Sequence, residues 1–183
     1  NIDPQGISVS GASSGAFMAV QMQVAFLEVF FGMASIAGGV FWCAEGDKLK
    51  AQLNCMSQPQ LIQTQNQIKE ARRLSAAGEI GDLNLLSRKI FFIFASPNDF
   101  VIRAGNGDKL AEFLAAFTPG ANIIRESQPA SAHGFPVKDF GADCLRGGSP
   151  WLLKCKADTA GRLLSVLYGQ LQSGKANSRH LSS

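Results

Sequence analysis

Apolar residues along this chain of 183 residues fall into short continuous runs and longer stretches with helical spacing. The clearest run is KIFFIFA, Lys89 to Ala95, which is apolar almost throughout. Such a run is typical of a parallel strand that is covered on both faces. Shorter β-branched or apolar runs predict three more strands, at residues 6–10 (GISVS), 33–37 (MASIA) and 122–125 (NIIR).

Helical patterns lie between these runs. The chain favours helices at residues 14–26, 58–76, 108–117 and 157–171. The first contains helix formers throughout and no proline, and the other three have apolar positions that can share one face. Residues 43–55 read as a polar loop. Strands that alternate with helices predict an α/β fold, a parallel sheet with flanking helices and right-handed crossovers. We expect one domain at residues 1–172, followed by a polar tail at residues 173–183.

Composition adds limits to this picture. Hydrophobic residues make up 46% and charged residues 17% of the chain, a globular balance. The net charge of +3 comes without a long basic run, so we expect neither nucleic acid nor a membrane as a partner. No apolar run approaches the roughly 20 residues that a membrane span needs.

The four cysteines form two local pairs, Cys43 with Cys55 and Cys144 with Cys155. A zinc site would usually show a CxxC clamp, which is missing. The spacing therefore favours two disulfides and, with them, a secreted or periplasmic protein. The alternative is four unpaired buried thiols in a cytosolic protein.

The motif Gly11-Ala12-Ser13-Ser14-Gly15 lies between a predicted strand and a predicted helix. A G-x-S-x-G sequence in that context is typical of a nucleophilic serine on a sharp turn, with small residues that let strand and helix approach closely. The helix start also supplies free N–H groups, and the N–H of Ser14 is the candidate oxyanion donor. The alternative is an ordinary Gly/Ser-rich turn.

A nucleophilic serine needs a base, and the chain has two histidines. His180 lies in the polar tail, whereas His133 follows the last predicted strand. Asp99 follows the strand at residues 89–95 and is the candidate third member, although Asp beside Asn98 also suits a plain turn. Ser13, Asp99 and His133 reproduce the chain order Ser, Asp, His of α/β-hydrolases, each after one of successive strands.

Several stretches resemble the single-domain, circularly permuted poly(3-hydroxybutyrate) depolymerases: SVSGASSGAFMAVQMQVAF, GGVFWCAEG, KIFFIF, HGFP and SPWLLKCKADTAGRLLSVLYG. The resemblance implies an α/β-hydrolase-like fold, with Ser13 as nucleophile, His133 as base and Asp99 as acid. It also implies the disulfides 43–55 and 144–155, and it calls for no cofactor and no metal.

In that family, further strands and a second oxyanion loop follow the helix that ends at Tyr168-Gly169, whereas this chain ends at Ser183. The resemblance therefore favours a processed or truncated enzyme, completed by a missing C-terminal segment or a second chain; the alternative is an unusually short variant. We hypothesise a serine esterase that hydrolyses poly(3-hydroxybutyrate) or its oligomers. The alternatives are a feruloyl or acetyl carboxylesterase acting on polysaccharide, and a non-catalytic fragment or pseudoenzyme.

Overall fold

A four-stranded parallel sheet forms the centre of the computed structural model, which describes residues 3–170. The predicted tail at residues 173–183 and His180 lie outside the described residues. In spatial order the strands are β1 (Ser8–Ala12), β2 (Gly32–Ile36), β3 (Ile90–Phe94) and β4 (Ile123–Glu126). The predicted parallel α/β fold is therefore confirmed. Among the described residues β1 is an edge strand, and it begins two residues later than its sequence pattern indicated.

Five α-helices accompany the strands: α1 (Ser14–Ala25), α2 (Lys48–Gln52), α3 (Thr64–Ala76), α4 (Gly105–Ala115) and α5 (Thr159–Tyr168). The prediction of a helix from residue 58 was wrong, because Pro59 opens a separate 3-10 turn and Ile62 is extended and buried. The loop prediction for residues 43–55 was also wrong in part, since it contains α2 and the start of a π-helical turn at Leu53–Ser57.

Alternating side chains on the central strands divide the core into two layers. Met33, Phe91 and Ile93 face α1, α3 and α4, whereas Ile36 and Phe92 face α5 on the other side of the sheet. Both central strands are thus covered on both faces, which is why their sequences are nearly continuous apolar runs. No helix among residues 3–170 combines the length and hydropathy needed to cross a bilayer.

A second, smaller parallel sheet follows β4 and was not predicted. Its strands are β5 (Phe135–Val137), β6 (Ala142–Asp143) and β7 (Leu152–Lys154), with β7 in the middle. Cys144 and Cys155 directly follow β6 and β7 and form a disulfide; Cys43 and Cys55 form the other. Both predicted pairings are confirmed, and the alternative of four free thiols is wrong.

Candidate active site

Ser13 occupies the sharp turn between β1 and α1. Its backbone has φ 55° and ψ −123°, a conformation that residues with a side chain rarely adopt. The turn is held from both sides: the Ser13 N–H donates to the Ile36 carbonyl at 2.9 Å, and the Ser13 carbonyl accepts from the N–H groups of Ala16 and Phe17. The strained turn therefore presents the Ser13 hydroxyl above the carboxyl end of the sheet.

The two glycines of the motif have different roles. A Cβ atom on Gly11 would lie 2.3 Å from the backbone carbon of Gly15, whereas a Cβ on Gly15 would meet no atom within 4 Å. Only Gly11 is therefore needed for the close approach of strand and helix. The expectation that small residues on both sides serve this approach was wrong for Gly15.

Asp99 is fixed in the turn that follows β3, where it is only 2% exposed. Its Oδ1 accepts hydrogen bonds from the N–H groups of Val101 at 2.9 Å and Ile102 at 2.8 Å. Its Oδ2 lies 2.8 Å from Nδ1 of His133. The buried carboxylate is thus oriented by two backbone donors and aims its second oxygen at the imidazole.

His133 links the serine and the carboxylate. Its Nε2 lies 2.9 Å from the Ser13 Oγ, on the side of the ring opposite the Asp99 contact. The two contacts fit the tautomer in which the Nδ1–H donates to the Asp99 carboxylate and Nε2 accepts from the serine hydroxyl. Three residues that are far apart in the sequence thus form one continuous chain of hydrogen bonds.

The strands that carry these residues are not all neighbours. Ser13 follows β1, Asp99 follows β3 and His133 lies in the loop after β4, with β2 between the first two. We expected the three residues to follow successive strands. This was correct for Asp99 and His133, which follow the neighbouring strands β3 and β4, but wrong for Ser13, because β2 separates β1 from β3. The side chain of His133, which is 13% exposed, reaches back over the end of the sheet to join them.

The N-terminus of α1 lies directly at the serine. Ser14 is its first residue, and the first N–H groups of a helix have no partner within the helix. These groups and the helix dipole favour negative charge beside the Ser13 hydroxyl. The N–H of Ser14, predicted from the sequence as an oxyanion donor, lies at this helix start, next to Ser13 in the chain.

Two cavities flank the Ser13 hydroxyl. The larger, about 500 Å³, has apolar walls that include Phe17, Met18, Trp42 and the Cys43–Cys55 disulfide. The other, about 460 Å³, lies on the His133 side. Its lining includes Ala37, Val101, Phe135 and Trp151. The serine thus has mainly apolar space on both sides, which suits the two halves of a substrate with little charge.

Curated relatives and solved structures resemble this chain over most of its length. The poly(3-hydroxybutyrate) depolymerase of Delftia acidovorans is 35% identical over 173 residues, and the polyhydroxybutyrate depolymerase of Talaromyces funiculosus is 28% identical over 179 residues. Each match covers 94% of this chain. This chain is a relative of the poly(3-hydroxybutyrate) depolymerases. The resemblance predicted from the sequence motifs is confirmed.

Solved structures give the same relationship. The crystal structure of a PHB depolymerase from Penicillium funiculosum matches with a TM-score of 0.85 at 26% identity. A serine-to-alanine variant of a PHB depolymerase complexed with an R3HB trimer matches with a TM-score of 0.84, also at 26% identity. Both matches cover 94% of this chain. No family model matches the sequence.

The chain spans only part of these depolymerases. It covers 35% of the Delftia protein, 51% of the Talaromyces protein and 54% of each of the two solved chains. Sequence reasoning assigned no role to the two cavity tryptophans, Trp42 and Trp151. Both have positive φ angles, 55° and 67°, and both are exposed. The sequence signal that could have identified them is a tryptophan that closely follows two glycines, as Trp42 and Trp151 both do.

Proposed function

We propose that this chain carries the catalytic residues of a serine esterase that hydrolyses polyesters of short hydroxyacids, such as poly(3-hydroxybutyrate) or its oligomers. The observation that carries the proposal is the chain of hydrogen bonds from the Ser13 hydroxyl through His133 to Asp99. The names of the depolymerase relatives support the substrate class.

The proposed reaction begins when His133 Nε2 takes the proton of the Ser13 hydroxyl as its oxygen attacks the ester carbonyl. The carbonyl oxygen becomes an oxyanion, which the N–H of Ser14 stabilises. His133 then gives the proton to the leaving alcohol, and the acyl group stays on Ser13. Water, activated by the same imidazole, releases the acid and restores the serine. Asp99 holds the tautomer and stabilises the imidazolium.

The apolar walls of the two cavities support an aliphatic substrate. Poly(3-hydroxybutyrate) carries methyl groups and ester oxygens but no charge along its backbone, so it loses little solvation on entering such space. The same apolar walls would also accept the uncharged acyl group of the alternative substrate, a feruloyl or acetyl ester. Parallel hydrolysis assays with hydroxybutyrate oligomers and a feruloyl ester separate them, and we expect faster cleavage of the oligomers.

The central test is the variant Ser13→Ala, assayed on a soluble short-chain ester and by labelling with a fluorophosphonate. Loss of a triad nucleophile costs about 10⁶-fold in kcat. The matched control is Ser10→Ala, which removes an exposed hydroxyl from β1 of the same segment. We expect labelling and turnover in the control and neither in Ser13→Ala. Full turnover by Ser13→Ala would disprove the assignment.

A second candidate is a chain that is active only together with another segment. Two observations favour it: β1, which leads to Ser13, is an edge strand among residues 3–170, and the chain spans 35% to 54% of its relatives. Unpaired edge strands readily add another strand. The native mass and the fluorophosphonate labelling of the isolated chain decide this case, since labelling of a monomer contradicts it.

The two disulfides support a place in an oxidising compartment, secreted or periplasmic. We propose this location for the enzyme. Sampling the extracellular fraction of an expressing host for the chain with both bonds intact tests it.

A further inference from the structure

Ser96 joins the loop that carries Asp99 to the loop that carries His133. It lies after β3, three residues before Asp99, and is 2% exposed. Its hydroxyl donates to the Ser131 carbonyl at 2.6 Å and accepts from the Ser131 N–H at 2.7 Å. It also accepts from the Asn98 N–H at 3.2 Å. Ser131 lies two residues before His133, so both ends of this link are close to the acid–base pair.

The Ser96 hydroxyl has no hydrogen-bonding capacity left over. A hydroxyl can donate once and accept twice, and all three positions are used here. All of this happens in a buried site, where hydrogen bonds are stronger than in water and unpaired partners are costly. Replacing Ser96 by Ala would leave the N–H and the carbonyl of Ser131 without this partner. The loop would therefore be expected to shift to recover their hydrogen bonds.

The link matters because the two loops are remote in the sequence. Ser96 and Ser131 are 35 residues apart, and the strands before them end at Phe94 and Glu126. Asp99 is already fixed by the N–H groups of Val101 and Ile102. The distance between Asp99 and His133 therefore depends on the position of the loop that carries His133. The Ser96 hydroxyl hydrogen-bonds both the N–H and the carbonyl of Ser131, and these two bonds together restrict the position of that loop.

We propose that Ser96 is a positioning residue that sets the distance between His133 and Asp99. Its role rests on the proposed function, because it acts through the acid–base pair and does not touch the reacting atoms. A displacement of about 1 Å in a catalytic group can lower the rate about 10²-fold. We therefore expect Ser96→Ala to lower kcat by about that factor with little change in KM.

Ser131 supplies the matched control. Its own hydroxyl is fully buried and has no hydrogen-bond partner among the described residues, while its backbone holds the link. Ser131→Ala removes one buried hydroxyl from the same pair of residues without breaking any of the three hydrogen bonds. Each variant thus removes one buried serine hydroxyl, but only Ser96→Ala removes the hydrogen bonds between the two loops.

The decisive readout is independent of activity. The chain has two histidines, so ¹⁵N-histidine labelling of the intact protein, together with the variant His180→Gln, assigns the Nδ1–H proton of His133. The hydrogen bond to the buried Asp99 carboxylate should slow the exchange of this proton with water. We expect Ser96→Ala to speed its exchange at least tenfold and Ser131→Ala to leave it unchanged.

Equal protection of this proton in both variants overturns the proposal, whatever the activity. A protein that cleaves no ester but shows the expected difference in exchange keeps the role of Ser96 and contradicts the proposed function instead. If Ser96→Ala does not fold, Ser96→Cys takes its place, because a thiol fills nearly the same space but is a weak donor and acceptor. Slow exchange in a folded Ser96→Cys protein then counts against the link.

Discussion

Ser13 shows how a single residue can be held in strained backbone by the atoms around it. A positive φ at a residue with a side chain costs about 1–3 kcal/mol, which the rest of the fold must offset. The N–H bond to Ile36 and the two bonds to the Ser13 carbonyl fix the turn from both sides. Gly11 completes the arrangement, because β1 and α1 meet there without room for any side chain.

This difference between the two glycines of the motif gives a paired prediction. Gly11→Ala places a methyl group against the backbone of Gly15 and should cost about 1–3 kcal/mol in the free energy of unfolding, with slower fluorophosphonate labelling of Ser13. Gly15→Ala adds a methyl group in open space within a helix and should be neutral or stabilising by up to about 1 kcal/mol.

Urea unfolding of the two variants measures this directly. Equal destabilisation by both substitutions would show that the motif acts as a symmetric pair and that the contact at Gly11 is not the cause.

At the scale of elements, the turn after β6 braces the loop of His133. The carbonyl of Cys144 accepts from the N–H of Ala132 at 2.7 Å, one residue before His133. Asp143 shapes that turn: its Oδ1 accepts from the N–H groups of Leu145 at 2.9 Å and Arg146 at 3.0 Å. These backbone hydrogen bonds lower the pKa of Asp143 below its usual value of 3.8.

The lowered pKa predicts how stability depends on pH. Because the folded state holds the carboxylate form, Asp143 stabilises the protein fully above the pKa of an unfolded Asp, near 3.9. That stabilisation is lost as the pH falls through the lower pKa of the folded state. Asp143→Asn keeps the size and an acceptor oxygen but has no charge at any pH. We therefore expect its Tm to lie below that of the native protein above about pH 4 and to converge with it in stronger acid.

Thermal unfolding of both proteins at a series of pH values checks this. A gap in Tm that stays constant or widens on acidification would contradict the role of the Asp143 carboxylate.

The elements also show what sequence reasoning reached. Lys89 to Ala95 was read as a buried strand, and β3 covers residues 90–94, because a run covered on both faces leaves a strong signal. The second sheet left no such signal, because β6 has two residues, β5 contains Pro136, and both pair in parallel with β7, which lies farther along the chain. Helix α3 began late because Pro59 and the buried Ile62 interrupt a helical pattern that is otherwise continuous.

The residues of the candidate site also fall into those that the sequence predicted and those that it did not. Ser13, Asp99 and His133 could be predicted because parallel strands place the loops that follow them at one edge of the sheet, and because their order along the chain matches that of α/β-hydrolases. Ser96 was not predicted, since its role depends on a backbone partner 35 residues away. A serine before Asn98 reads locally as a turn residue, and only the burial of its hydroxyl reveals the contact.

At the scale of the whole molecule, the two disulfides lie next to different parts of the candidate active site. Cys43 and Cys55 line the larger cavity beside Ser13, within the segment that follows β2. Cys144 and Cys155 tie β6 to β7 behind the loop of His133. The two loops they close are nearly equal, 12 and 11 residues, so their contributions to stability should be similar, about 3 kcal/mol each in the chain-entropy model.

The two disulfides should contribute similarly to stability but contact different parts of the candidate active site, so their removal should change different kinetic constants. The variant that lacks one disulfide serves as the control for the variant that lacks the other. Cys43→Ser/Cys55→Ser loosens a wall of the substrate cavity and should mainly raise KM. Cys144→Ser/Cys155→Ser frees the turn whose carbonyl holds Ala132, so it should mainly lower kcat and speed exchange of the His133 Nδ1–H proton. Steady-state kinetics on a soluble ester, at a temperature where urea titration shows both variants to be folded, measure the two effects. If both pairs changed kcat and KM in the same proportion, the disulfides would act only through overall stability, and the division of the site between a binding side and an acid–base side would not hold.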